Sequence, residues 1–215
     1  MGAIARSAAN NITTSGVFTS NAITNSSVTG ITVLANASDG ITLISSQTAS
    51  DSASLSFTTG IDSTYKAYKF VFSKIHARND GDTFQFNLST DSGSNYNVTK
   101  TTTFFQAYHD EGDTFAALDY RTDCDLAQST GFQRLNNSGG DVSDENIAGS
   151  LTLFNPASTT YVKHFIATMI ENHSSNYPNN VFVAGYGNTT SAVNACRFQM
   201  STGNFDGTIY LYGIK

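Results

Sequence analysis

Hydrophobic and polar residues alternate along most of the chain beyond residue 40. The segment YKAYKFVFSKIHA places Tyr68, Phe70 and Phe72 on one side of an extended backbone and Lys69 and Val71 on the other. Successive side chains of a β-strand point to opposite faces, so a period of two residues predicts strands with one buried face. The pattern therefore predicts β-structure where it occurs.

Further segments with this character recur at intervals of roughly 10 to 15 residues, separated by Gly, Asn, Asp and Ser, which favour turns. A helical stripe of any length is missing, and the chain has only 2 prolines. Short strands at this spacing predict an all-β fold, an antiparallel β-sandwich of jelly-roll-like type. The other predicted strands are ITLISSQT, ASLSFTT, DTFQFNLST, YNVTKTTTFFQAYH, GSLTLFN, YVKHFIATMIE, VFVAGYGN, ACRFQMS and GTIYLYGI.

The first part of the chain has a different texture, which divides the protein into an extended N-terminal arm (residues 1–40) and a β-sandwich domain (residues 41–215). Its charged residues are Arg6 and Asp39, and its apolar residues follow no period. Such a segment buries little apolar area on itself, so we expect it to dock on another subunit or a larger assembly; the alternative is a flexible tail. The expected contact residues are Ile4, Ile12, Val17, Phe18, Ile23, Val28, Ile31 and Leu34.

Charge and hydropathy exclude several classes of partner. The formal net charge is −6 and the 11 basic residues are scattered, whereas binding to nucleic acid needs clustered Lys and Arg. No apolar run approaches the roughly 20 residues that span a bilayer, which argues against a membrane partner. The N-terminus lacks the features of a secretory signal, so we expect synthesis in a host cytoplasm.

Sequence motifs of catalysis are missing. Neither a G-x-S-x-G elbow nor a phosphate-binding loop occurs, and Cys124 and Cys196 have no CxxC or Cys/His context. Two reduced thiols are the favoured interpretation, with a disulfide as the alternative. We therefore expect a protein that is not an enzyme and needs no cofactor.

The densest polar group is YHDEGD, which comprises Tyr108, His109, Asp110, Glu111 and Asp113. It follows a predicted strand, and neighbouring side chains at a strand end point in different directions. A solvated loop tip is the favoured interpretation, and we predict no metal site. The alternative is a Ca²⁺ site completed by Asp80 or Asp82, because hard cations accept loop carboxylates.

Two other acidic groups raise the possibility of glycan chemistry. They are DCDLA, with Asp123 and Asp125, and DVSDEN, with Asp141, Asp144 and Glu145. A pair of carboxylates about 5 to 10 Å apart can hydrolyse a glycosidic bond. Glycan hydrolase is therefore a functional hypothesis, ranked below the two non-enzymatic roles given at the end of this section.

Tyrosines at turns are candidates for glycan binding. Tyr177 in SSNYPNN and Tyr108 beside the acidic loop lie where strands meet turns, and an aromatic ring there could stack on a sugar. The alternative is that both tyrosines cap the ends of the sandwich core.

Long phrases of the chain resemble a group of bacteriophage structural proteins common in viruses of marine bacteria and cyanobacteria. The resemblance covers residues 41–215, through TGIDSTYKAYKFVFSKIHARNDGDTFQFNLSTDSGSNYNVTKTTTFFQAYH, DLAQSTGFQ, LTLFNPASTTYVKHFIA and VAGYGNTTSAVNACRFQMSTGNFDGTIYLYGIK. Members of this group look like chains that begin with a variable attachment segment, which is followed by a β-sandwich domain. The resemblance supplies no catalytic residues.

The resemblance implies a virion structural protein on the exterior of the particle. The expected role is capsid decoration (cement) or a tail-fibre component, docked through the N-terminal arm on other virion proteins. The alternative is a receptor-binding module of a tail fibre that attaches to a host surface glycan through loops at the tip of the sandwich. The candidate contact residues in these loops are Tyr108, His109, Asp110, Glu111, Asp113 and Tyr177. By analogy with other virion exteriors we expect a homo-oligomer, a homotrimer.

Overall fold

A computed structural model of the protein describes residues 40–215, which form one compact unit. All of its regular structure is antiparallel β-sheet, which confirms the all-β prediction. Within these residues no helix has the length and apolar character that crossing a membrane would require. The expected arm contacts lie outside the described residues: Ile4, Ile12, Val17, Phe18, Ile23, Val28, Ile31 and Leu34.

Twelve strands make up the described unit. They are β1 (Ile41–Ser52), β2 (Ser54–Phe57), β3 (Ala67–Ala77), β4 (Phe84–Ser89), β5 (Lys100–His109), β6 (Ala116–Tyr120), β7 (Gln133–Arg134), β8 (Ile147–Phe154), β9 (Lys163–His173), β10 (Tyr177–Gly187), β11 (Ala195–Met200) and β12 (Phe205–Ile214).

The strands form two sheets whose order defines a jelly roll. The larger sheet runs β1-β12-β3-β8-β9-β10-β5-β6 and the smaller runs β2-β11-β4-β7. If β5, β6, β9 and β10 are set aside, eight strands remain in two sheets of four, β1-β12-β3-β8 and β2-β11-β4-β7. Successive strands of this set alternate between the sheets except for β4 and β7, which both lie in the smaller sheet, and this order matches the double-sheet jelly rolls of viral capsid and lectin domains.

The other four strands widen the larger sheet. The hairpin β5–β6 is inserted between β4 and β7, and the hairpin β9–β10 is inserted between β8 and β11. Both add beyond β8 on the same side, so the eight-stranded sheet consists of a jelly-roll half and an added half. The added half carries β6 as its free edge.

Aromatic rings fill the space between the two sheets. Phe198 of the smaller sheet lies at the centre, with its ring centroid 4.9 Å from Phe70 and 5.2 Å from Phe72 on β3. Phe57 and Phe84 also pack against it. Edge-to-face ring pairs of this kind contribute beyond the area that they bury, so the jelly-roll part has a dense apolar core.

The structure confirms the ten segments predicted as strands and adds two. The missed strands are β6, whose sequence AALDY lacks alternation, and the two-residue β7. The last predicted strand, β12, lies between β1 and β3 in the larger sheet. Cys124 and Cys196 are both free and buried, in line with the reduced interpretation.

Candidate functional site

The YHDEGD segment forms the turn between β5 and β6 and is held by its own hydrogen bonds. The Asp110 carboxylate accepts from the backbone N–H of Thr114 and of Phe115, both at 2.8 Å, and from the Thr114 hydroxyl. These bonds, the one from Phe115 first, lower the pKa of Asp110. Asp113 has a φ of 53°, a left-handed conformation that closes the turn. Asp110 therefore shapes the loop.

The other polar residues of this turn do not converge on a common point. His109 Nε2 lies 3.0 Å from Asp113 Oδ1, and both side chains are exposed, as is Glu111. Asp82 accepts from Thr202 N and from the hydroxyls of Ser201 and Thr202 elsewhere in the fold. Across residues 40–215 no group of three or more His, Cys, Asp and Glu side chains could hold a metal ion.

Four aromatic rings meet next to this turn, and two of them are the tyrosines singled out in the sequence. The ring centroids of Tyr108 and Tyr177 are 5.5 Å apart, and Phe115 lies 5.7 Å from Tyr108 and 5.5 Å from Tyr177. His173 stacks on Tyr177 at 4.2 Å. We call these four residues the ring cluster.

The ring cluster lies at the end of the sandwich interior. Tyr108 shares the inward face of β5 with Phe104 and Gln106, which are both buried. Burial raises the pKa of Tyr177 and lowers that of His173, because it disfavours the charged form of each group. Phe115 remains 46% exposed. The cluster thus caps the core and leaves one ring open to solvent.

A buried carboxylate lies one row inward from the ring cluster. Glu171 on β9 accepts from Asn136 Nδ2 at 2.6 Å, Asn179 Nδ2 at 2.7 Å, Asn137 N at 3.1 Å and Ser138 N at 3.2 Å. Burial raises the pKa of Glu171, and the four hydrogen bonds oppose that rise. All four donors come from the protein itself, so Glu171 joins the β7–β8 connection to the added half of the sheet.

The remaining acidic groups of the sequence stabilise local turns. Asp123 forms a two-bond ion pair with Arg121, at 2.8 and 2.9 Å, which lowers the pKa of Asp123 to about 2. Asp125 accepts from the Tyr120 hydroxyl at 2.6 Å. In the other group, Glu145 accepts from Val142 N at 2.9 Å.

Asp141 and Asp144 lie in the same loop as Glu145 and are exposed. The carboxylates of Asp123, Asp125 and Glu145 thus accept hydrogen bonds from residues close to them in sequence.

The outward side of β8 and of the added half carries many large apolar residues, a feature that sequence reasoning did not single out. Outward residues of β8, β9, β10, β5 and β6 pair across the strands in register, for example Thr152 with Ile166 and Phe182 with Phe105. None of these outward residues is Asp, Glu, Lys or Arg. We call this surface the apolar face. Its large apolar residues are Phe105, Leu118, Tyr120, Phe154, Ile166, Ile170, Phe182 and Tyr186.

Six of the eleven exposed large hydrophobic residues in the described unit belong to the apolar face, so the surface is a patch and not a scatter of single residues. The rings of Phe105 and Phe182 stack at 4.9 Å with their planes 9° apart. A groove of about 450 Å³ runs along the face between Phe154, Ile166, Ala184 and Thr103. A charge lies at its border, where Tyr120 donates to Asp125.

The same strands bury charged side chains on their inward side. Lys100 and Lys163 have no exposed surface, at the beginnings of β5 and β9. Lys100 Nζ donates to Asn87 Oδ1 at 2.5 Å and to Val98 O at 2.8 Å. Burial lowers the pKa of Lys100 to about 7 and also lowers that of Lys163. The added half therefore buries Lys100, Lys163 and Glu171 among apolar residues on its inward side, while no Asp, Glu, Lys or Arg lies on its outward side.

Comparison of the chain with models of known protein families, with curated proteins and with solved structures gives no match. The functional argument therefore depends on the surfaces described above.

Proposed function

We propose that the protein is a non-enzymatic structural component on the exterior of a bacteriophage particle, as capsid decoration or as part of a tail fibre. The observation that carries the proposal is the apolar face. Monomeric soluble proteins rarely leave a contiguous apolar patch of this kind uncovered, so its presence favours a protein that functions in an assembly. The phage setting is supported by the resemblance of residues 41–215 to phage structural proteins.

The jelly-roll strand order is consistent with this proposal. Viral capsid domains use the same arrangement, although lectins and enzymes use it too, so the fold supports the proposal only in combination with the surface. Among the carboxylates that sequence reasoning considered for glycan hydrolysis, Asp123, Asp125 and Glu145 are engaged in local hydrogen bonds, which favours a structural over a hydrolytic role.

Immunogold electron microscopy of intact particles of the encoding phage tests the proposal. An antibody against residues 40–215 should label the particle, and the same antibody absorbed with purified protein should not. Label over the head would identify a decoration protein, and label on the tail would identify a fibre component. Particles without label would refute the proposal.

Docking through the N-terminal arm is a separate part of the proposal. Deletion of residues 1–35 should abolish incorporation into particles while the sandwich domain still folds, as judged by its circular dichroism. Incorporation at the wild-type level would mean that the arm is not the attachment segment.

A second candidate function, host attachment through a surface glycan, is favoured by the ring cluster. Phe115 exposes an aromatic ring beside the hydroxyl-bearing Tyr108 and Tyr177, a combination that can stack on a sugar and hydrogen-bond to it. Phage carrying Phe115→Ala should adsorb to host cells more slowly than phage carrying Val142→Ala, a change at an exposed apolar residue elsewhere. Equal adsorption of the two variants would eliminate this candidate.

A further inference from the structure

We propose that the apolar face is the surface through which copies of this chain associate with one another. This inference deepens the proposed function, because it names the partner that covers the surface on which that function rests. It begins with an unusual distribution of charge. The chain has 28 formally charged side chains, 11 basic and 17 acidic, and none of them points outward from β8, β9, β10, β5 or β6.

A surface without charge suits contact between identical molecules. Each copy has a formal charge of −6, so two copies repel one another, and the repulsion is weakest where neither carries carboxylates. Interfaces between different proteins commonly use complementary charge to steer the partners and to fix their register. Homodimer interfaces are more apolar, and their centres are depleted of charged residues. The apolar face resembles a homodimer interface in this respect, because it has many apolar residues and no Asp, Glu, Lys or Arg.

The dimensions of the face fit this use. Strands lie about 4.8 Å apart, and outward residues along one strand about 6.8 Å apart, so five strands with about three to five outward residues each cover roughly 700 Å² before the relief of the side chains is counted. A stable interface buries about 800 Å² per partner. The uneven side-chain surface and the adjoining loop, in which the Tyr161 ring is also exposed, add to the area of the face. The area of the face is therefore in the range that a stable interface buries per partner.

The centre and the rim of the face match the anatomy of an interface. The stacked rings of Phe105 and Phe182 form a preorganised aromatic pair at the middle of a row that runs from Ser150 to Tyr120. Aromatic residues enriched at a centre and polar residues at a rim are typical of protein interfaces. At the rim, the hydrogen bond between Tyr120 and Asp125 places the nearest carboxylate beside the edge strand β6.

The arrangement of the inward side strengthens the argument. In the added half, the inward positions accommodate Lys100, Lys163 and Glu171, although burial of charge is costly. The outward positions of the same strands hold Ile166, Ile170 and Leu118. Charged residues would be more easily solvated on the outward side, so their exclusion from it is explained if that side is also buried, against another copy.

The molar mass of the full-length chain in solution tests the inference, by light scattering after size-exclusion chromatography. The wild-type protein should have a mass that is a multiple of 23.0 kDa. Three copies would have a mass of about 69 kDa, as expected for a cyclic trimer. Ile166→Lys, which introduces a charge at the groove, should shift the mass towards one copy and weaken association at least about tenfold.

Val142→Lys is the matched control, because Val142 is 57% exposed in a loop and Ile166 is 53% exposed on the face. It should keep the wild-type mass. Leu118→Lys is a second variant on the face, at a residue 72% exposed on the edge strand, and it should dissociate the assembly as Ile166→Lys does. Circular dichroism and cooperative thermal unfolding identify the variants that fold, so a failure of one to fold leaves the other as the test.

Two results would overturn the inference. One is a mass of a single copy for the wild-type chain at concentrations up to about 100 µM. This result would mean that another part of the same molecule, or a different protein, covers the face. The other is an unchanged oligomer for both folded face variants. Neither result bears on immunogold labelling of particles, so a failure of self-association is distinguishable from a failure of the proposed virion role.

Discussion

The two halves of the larger sheet differ in how charged and apolar side chains are distributed between their inward and outward sides. In the jelly-roll half, β3 directs Tyr68, Phe70 and Phe72 inward and Lys69 outward, the arrangement expected of a sheet with one solvated side. In the added half, β5 directs Lys100 inward and Phe105 outward. Both halves share one continuous hydrogen-bonded sheet, so the backbone does not cause the difference. The added half is the part of this sheet whose outward side we propose to be buried as well, against another copy.

The largest effect should come from the core of the jelly-roll half. Phe198→Ala removes a ring that contacts the rings of Phe70 and Phe72 and leaves a cavity, so the free energy of unfolding should fall by about 4 kcal/mol. Urea denaturation measures the change. Val142→Ala, at an exposed loop position, should alter it by less than about 0.5 kcal/mol. A small effect of Phe198→Ala would mean that the two sheets are not packed as described.

A comparable loss should follow when the added half loses its buried carboxylate. Glu171→Ala leaves the side-chain amides of Asn136 and Asn179 and two backbone N–H groups without their acceptor, so we expect a loss of about 3 kcal/mol. Glu111→Ala, in the exposed turn, is the control and should have little effect. Equal stability of Glu171→Ala and wild type would show that the inward polar residues of this half are not a structural network.

The buried lysine predicts a dependence of stability on pH. The pKa of Lys100 is about 7 in the folded state and 10.5 in its ordinary state, so between these values the unfolded chain binds more protons than the folded one. The free energy of unfolding should therefore rise with pH in this window, by about 2 kcal/mol from pH 7 to pH 9 for this group. Below pH 7 the folded protein bears the full cost of the buried charge.

Lys100→Met isolates this contribution, because other groups titrate in the same range. The difference between wild type and variant, measured by urea denaturation at several pH values, should change by that amount over the window. A difference that is independent of pH would mean that Lys100 keeps an ordinary pKa in the folded protein.

The smallest of these effects should come from the buried hydroxyl of Tyr68, which lies on β3 in the jelly-roll half. The Tyr68 hydroxyl accepts from Asp62 N at 3.0 Å and donates to Asp62 O at 2.9 Å, and so fixes the loop before β3. Tyr68→Phe should lower the free energy of unfolding by about 1 kcal/mol, since the ring remains packed. A loss as large as that of Phe198→Ala would indicate that the loop and the core unfold together.

Alternation along the chain predicted the fold, but it left the orientation of some strands open. In KTTTFFQA, Lys100, Thr102 and Phe104 form one set of alternate residues, while Thr103 and Phe105 belong to the other. Each set contains a phenylalanine, so the pattern does not decide which set is buried. The structure buries the set with the lysine. Only contacts made by residues distant in sequence, such as Asn87 for Lys100, make that choice possible.

The ring cluster illustrates the same limit. Tyr108 and Tyr177 were noticed separately, and both attracted attention because they lie where strands meet turns. Their meeting depends on the register of β5 with β10, in which Tyr108 pairs with Asn179. The alternation of one strand carries no information about its pairing with a strand 70 residues away. Phe115 was missed because the β5–β6 hairpin was not predicted. His173 was missed because β9 and β10 extend beyond the predicted segments, so that His173 pairs with Tyr177.

The two natural cysteines should not interfere with labelling of the protein by thiol-reactive reagents. Cys124 and Cys196 are buried, and burial raises the pKa of both thiols, so neither supplies the thiolate that maleimide reagents attack. A cysteine introduced on the surface away from the apolar face, as in Val142→Cys, would then be the preferred point of modification in an otherwise native chain. A fluorophore or a spin label could be attached there without first removing the natural cysteines.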